Sequence, residues 1–209
     1  MNFLSCYYMD LSMIFKVTKE IIIVVSAAVV AYVAYRGLST WRKELHAKSD
    51  HETARMVLKA NFRVRSAIHG VRNNWISPEE YPQDTNLTVV EKHTHLFKLR
   101  WQLLDAALQE FDLAKVEGQA LWGKDFEKIL EPVYEVVNKL NCSIAEYLEK
   151  LSSLSPEEQE NTLDDSILAL KRKIFHIPMF HSHRDTFGGE LFRVFKDVED
   201  NLRPKTYRK

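Results

Sequence analysis

The chain has 209 residues, 45% hydrophobic and 28% charged, with 29 Lys and Arg against 29 Asp and Glu, and only 6 Gly, 6 Pro and 2 Cys. It is too apolar for a disordered protein, too poor in Gly and Pro for a fibrous one, and too poor in Cys for a disulfide scaffold. The zero net charge conceals unlike blocks: residues 36–72 carry net +6, residues 105–165 net −10 and residues 166–209 net +5.

Residues 1–18 read as an N-terminal tail; a translation start at Met13 would leave only MIFKVTKE ahead of the next segment. Residues 21–35, IIIVVSAAVVAYVAY, are fifteen in a row without a charge, and eight of them are Ile or Val. At about −0.3 to −0.6 kcal/mol each, those eight favour bilayer insertion by roughly 2.5–5 kcal/mol. The run is short for a span, but Lys19 and Arg36 can snorkel, and Tyr32, Tyr35 and Trp41 suit the headgroup level. A transmembrane helix with its interface is therefore predicted over 19–41. Two other segments share this pattern. A buried core helix would need a large surrounding protein. A cleaved signal peptide would need a better cleavage site than Val29-Val30-Ala31.

Two cations, Lys16 and Lys19, precede the span, and five follow within twenty residues: Arg36, Arg42, Lys43, Lys48 and Arg55. The positive-inside rule places the N-terminus outside and the following domain in the cytoplasm. Cys6 and Cys142 are expected to remain reduced thiols or unpaired. Lys19, Arg36, Trp41, Arg42 and Lys43 are the membrane-flanking residues, and each cation near an anionic leaflet adds about 1 kcal/mol of attraction. Arg63, Arg65 and Arg72 would join them if the domain lay against the membrane. Ala27, Ala31 and Ala34 share one face of the span, which is compatible with self-association.

A cytoplasmic antiparallel helical bundle is predicted over 42–204, followed by a basic tail at 205–209. Ser49-x-x-Glu52 is a capping-box signature that predicts a helix from there to about Asn73. Its inward stripe is Val57, Ala60, Val64, Ala67, Ile68 and Val71, and Arg55, Lys59 and Arg63 form a basic face at four-residue spacing. A loop rich in Asn and Pro follows. The next helix is predicted over 86–115, with the stripe Leu87, Val90, Thr94, Phe97, Trp101, Leu104, Leu108 and Phe111. A third is predicted over 124–152, with the stripe Phe126, Leu130, Val133, Val137, Leu140, Ile144, Tyr147 and Leu151; Pro132 predicts a kink or a new start within it. Ser155-Pro156-Glu157-Glu158 marks a further helix start. Another helical piece is expected near 163–176, stopped by Pro178. The last helix is predicted to begin after Gly188-Gly189 and to end at Pro204. No stretch alternates as a strand does.

Chemistry is sparse. His176, His181, His183 and Asp185 carry zinc-type ligand atoms in an irregular segment, whereas His93 and His95 point to different helix faces. Arg63-x5-His69 resembles the Arg/His motif of some all-helical RNA-cleaving domains, at a frequency that chance alone supplies. Asp164-Asp165 sits at a predicted helix start, where the helix dipole explains it. There is no phosphate-binding Gly loop, nucleophile elbow or HExxH.

The stretch WRKELHAKSD, followed by ARMVLKANFRVRSAIHGVRN and later by ALWG and LRPK, resembles a group of uncharacterised bacterial single-span proteins over most of residues 20–204. The resemblance implies a short span at the bacterial inner membrane ahead of a cytoplasmic helical domain, and it implies no activity, cofactor or catalytic residue. Together these features point to an adaptor or regulatory module that binds the lipid bilayer, an unidentified protein partner and, through its small-residue face, a homo-oligomer. Nucleic acid is disfavoured by the acidic middle of the chain. The rival reading is a membrane-tethered enzyme: a metal-dependent hydrolase at the His-rich segment or a helical-bundle nuclease using Arg63 and His69.

Overall fold

The computed structural model is all-α, as expected, and describes residues 3–80, 82, 86–160, 164–175 and 186–206. The chain divides into two compact units, Met1–Ser49 and Asp50–Lys209. The elements are α1 (Phe3–Val71), a 3₁₀ turn (Pro78–Glu80), α2 (Val89–Trp122), a second 3₁₀ turn (Lys124–Phe126), α3 (Glu127–Ser152), α4 (Pro156–Glu160), α5 (Asp165–Ile174) and α6 (Thr186–Thr206).

Helix α1 passes through Ser49 without a break, so the expected helix start there is not found. Residues 36–48 are mostly good helix formers, and their carbonyls already take the N–H groups that a cap at Ser49 would serve. The same signature operates at Thr88. Its Oγ1 accepts from Glu91 N at 3.3 Å, and Glu91 Oε2 accepts from Thr88 N at 2.8 Å. That reciprocal box starts α2 at Val89. The helix runs on to Trp122, seven residues past its expected end, and stops at Gly123, whose φ of 82° suits glycine. Ahead of α4, Ser155 donates both its N and its Oγ to Glu158 Oε2, at 2.9 and 2.7 Å. Asp164 caps α5: its Oδ1 accepts from Ser166 N at 2.7 Å, and hydrogen bonding from the Ser166 side chain and then its backbone holds the carboxyl below the usual carboxylate range.

No new helix starts at Pro132, and Pro204 does not end the last helix. Helix α3 begins at Glu127 and runs through Pro132, and α6 runs through Pro204 to Thr206. The Gly188-Gly189 pair lies inside α6 and does not precede it. The stop at Pro178 falls outside the described residues, as does the end of the basic tail at 207–209.

Within Asp50–Lys209 the helices pack antiparallel. Asp50 and Arg63 of α1 contact Trp122 and Glu110 of α2. Asp112 and His93 of α2 contact Tyr134 and Tyr147 of α3. Asn61 and His51 of α1 contact Phe195 and Thr206 of α6. Helix α3 lies at the centre, against α2, α5 and α6, and its whole predicted stripe is buried. The α1 stripe is buried as expected apart from the half-buried Ala67, and Leu191, Phe195, Val198 and Leu202 of α6 complete the core.

The stripe of α2 is displaced from the expected one. Phe97, Leu104 and Phe111 are buried, but the turns between them bury Arg100, Ala107, Ala114 and Gly118. Trp101 and Leu108 reach the core only from its edge, and Thr94 is exposed. The small residues let α2 approach its neighbours closely. A Cβ placed on Gly118 would strike the Phe126 ring.

Candidate functional site

Two surfaces stand out. The first is the apolar run of α1. It holds an 18-residue window of mean hydropathy 2.1, with none of that window buried. Ile21, Ile22, Ile23, Val24, Val25, Val29, Val30 and Val33 are all exposed. A helix satisfies its own backbone, so such a segment needs only an apolar solvent around it. Its hydroxyls are satisfied in the same way: Ser26 Oγ donates to Ile22 O at 2.7 Å, and Thr40 Oγ1 to Arg36 O at 3.0 Å. Lys19, Arg36, Trp41, Arg42 and Lys43 are all exposed on the same helix, with the Arg36 guanidinium 5.8 Å from the Tyr32 ring centre. The chain thus has one N-terminal helix long and apolar enough to span a membrane.

The second surface is the outward face shared by α1 and α2. Arg55, Lys59 and Arg63 do form one exposed basic row. Arg63 pairs with Glu110, while Arg55 and Lys59 have no ion-pair partner among the described residues. Beside this row, α2 presents Leu99, Leu103, Ala106, Leu113 and Val116 to solvent; Leu103 and Leu113 are 69% and 70% exposed. An open groove of about 590 Å³ runs between the helices, lined by Ser66, Gly70, Leu103 and Ala106 among others. A second, of about 660 Å³, lies on the other flank of α1, where Leu58 and the half-exposed Phe62 meet Arg55, Lys59 and Thr206. Glu117 is exposed on α2 with no ion-pair partner among the described residues.

The structure separates three arginines that the sequence grouped as candidate membrane contacts. Arg63 belongs to the exposed row. Arg65 lies 3.5 Å from Glu199 and 5.5 Å from the Phe192 ring centre. Arg72 is fully buried. Its Nε donates to Ile174 O at 3.2 Å, and its guanidinium sits 5.1 Å from the Phe187 ring centre. Burial inside the helical domain removes it from any lipid surface.

The most connected polar group was not foreseen. Arg100 is 3% exposed and donates Nε to Glu80 Oε1 at 2.8 Å and Nη2 to Glu80 Oε2 at 2.9 Å. It also donates Nη1 to the carbonyls of Val71 and Asn73, and Nη2 to that of Trp75 at 2.8 Å. The planar fork therefore holds the chain where α1 ends. Its hydrogen bonds hold the Glu80 carboxyl below the usual range. A signal was present: Arg100 continues the 3–4 stepping from Phe97 to Leu104, a position that calls for an apolar residue and is filled by a cation.

The His93-x-His95 pair divides as expected. His95 is exposed, whereas His93 turns inward, with its Nδ1 2.9 Å from Tyr147 Oη. Burial, aided by the nearby Lys171 charge, lowers the His93 imidazole to about 4; burial also raises the Tyr147 hydroxyl to about 12. Both are neutral at pH 7, and the two share one hydrogen bond whose donor is set by the imidazole tautomer. A pocket of about 150 Å³ lies beside His93, lined by Ile76, Glu80, Pro82, Val89, Lys92 and Leu96.

Of the other chemical candidates, the Arg63/His69 pair is not assembled. Arg63 and His69 are six residues apart on α1, about 240° around the helix, and Arg63 is engaged by Glu110. His176, His181, His183 and Asp185 lie outside the described residues. Among the described residues, no group of three or more His, Cys, Asp or Glu is placed to hold a metal ion. No family model, curated protein or solved structure matches this chain.

Proposed function

We propose that the chain is a single-pass membrane protein of the bacterial inner membrane, with its N-terminus outside. Its helical domain, Asp50–Lys209, then acts in the cytoplasm by protein contact, as an adaptor or regulatory module. The observation that carries the anchor is the Ile/Val run of α1, exposed along its whole length. Orientation rests on the surplus of Lys and Arg after the run over that before it. The similarity of WRKELHAKSD and the segments after it to bacterial single-span proteins supports the location. The contact role rests on the α1/α2 face, where large apolar side chains stand beside Arg55 and Lys59, which have no ion-pair partner among the described residues.

Fractionation tests the reading. The full chain should remain in the membrane pellet after alkaline carbonate. In right-side-out spheroplasts, external protease should leave the helical domain intact. Release by carbonate would overturn the anchor, and digestion in intact spheroplasts would overturn the orientation. In-cell crosslinking from a photoreactive residue at Leu113 should capture protein, and capture of lipid alone would overturn the contact role.

A further inference from the structure

We infer that a second copy of this chain covers the exposed α1/α2 face, with α1 of each copy lying against α2 of the other. The inference rests on the contact module proposed above and names its partner. Three contacts set the levels of the two helices. Asp50 is level with Trp122, Arg63 with Glu110 and the end of α1 at Val71 with Arg100. A two-fold axis parallel to both helices keeps every residue at its level while exchanging α1 for α2. Arg55 then meets the second copy's Glu117, and Lys59 reaches the turn of the second copy's Leu113. Arg55, Lys59 and Glu117 have no ion-pair partner among the described residues of their own chain.

Shape follows the same exchange. The protruding Leu103 comes level with Ser66 and Gly70 of the other copy, where α1 is narrow; a Cβ added at Gly70 would meet nothing within 4 Å. Four neighbouring helices, each antiparallel to the next, pack as an ordinary bundle. The exchange also brings both Asp50 ends of α1 to one end of the pair. Two chains that enter one bilayer through the residues preceding Asp50 require that arrangement. Confinement in a membrane raises the effective concentration of each copy for the other. A lipid surface suits this face less well, because Glu110 and Glu117 lie within it and would meet anionic headgroups.

The test uses the full chain in detergent, carrying Cys6→Ser and Cys142→Ser. Copies with Lys59→Cys, mixed with differently tagged copies with Leu113→Cys, should form an oxidised heterodimer, because a disulfide needs Cβ atoms about 4 Å apart. Copies carrying Lys59→Cys alone should form far less. Arg55→Glu should weaken dimerisation about tenfold, equivalent to about 1.4 kcal/mol, and adding Glu117→Arg should restore it. Leu113→Glu should leave a monomer. Arg55, Lys59, Leu113 and Glu117 are exposed, and an unchanged helical circular dichroism spectrum separates a lost contact from a lost fold. A full chain that is monomeric at every concentration overturns the pairing, as does a dimer indifferent to Leu113→Glu or equal crosslinking in the mixed and unmixed samples. These readouts are taken in detergent, so they fail independently of the carbonate and protease tests of the anchor.

Discussion

The two ends of α2 both fix side chains against the rest of the helical domain, but by different means. Near its start, the structure is held by direction: Arg100 ties Glu80 to three carbonyls, and Tyr147 is hydrogen-bonded to His93. Near its end, it is held by fit: Gly118 leaves room for the Phe126 ring, whose centre lies 4.8 Å from that of Trp122. The polar end depends on atoms that have few substitutes, because each donor there serves a specific acceptor. The dry end depends on volume, which a neighbouring change in size can restore. Loss at the first end should therefore be hard to repair, and loss at the second should be repairable.

The largest effect should come from Arg100→Ala. It leaves the partly exposed Glu80 carboxylate and three carbonyls without their donor, and should cost about 3 kcal/mol in urea unfolding of the full chain followed by tryptophan fluorescence. Arg100→Lys should rescue little, since an ammonium cannot reproduce the fork. Next, Gly118→Ala should cost about 1–3 kcal/mol through overpacking, and pairing it with Phe126→Leu should recover most of that. Equal repair at both ends would break the contrast. Third, lowering the pH should act on the polar end. The His93 imidazole is lowered in the folded state, so the unfolded chain takes its proton first. Its contribution is intact above the ordinary histidine value near 6.5 and is lost towards 4, at up to about 1.4 kcal/mol per pH unit. His93→Gln should flatten that part of the acid unfolding curve. The smallest effect should be Thr88→Ala, about 1 kcal/mol, because it removes one cap from a long, well-packed helix.

The same contrast explains what the sequence discloses. The dry parts follow a period. Leu130 to Leu151 on α3 and Val57 to Val71 on α1 read directly as stripes, and the structure buries them. The period failed on α2 because apolarity was used to mark the inward face. Trp101 and Leu108 drew the stripe towards themselves, while the inward turns hold Arg100, Ala107 and Gly118. A guanidinium in a core position is recognisable only when its acceptors are known, and those come from Val71, Asn73, Trp75 and Glu80, 20 to 29 residues away in the chain. Helix ends were misplaced for a related reason. Ser49-x-x-Glu52 and Thr88-x-x-Glu91 are the same local signal, and only the second follows a break in the helix. Of the candidate surface, the basic row at Arg55, Lys59 and Arg63 was legible from its spacing. The apolar face beside it was not, because Leu103, Leu113 and Val116 look like core residues until α2 is seen to bury its opposite side.

Arg100 recognises main-chain oxygens, and Trp75, one of the residues it holds, is itself 75% exposed. The connector after α1 is therefore constrained in its path and free in its spelling. In evolutionary terms, substitutions should accumulate at 73–76 without consequence, while the single guanidinium that reads their backbone should tolerate none.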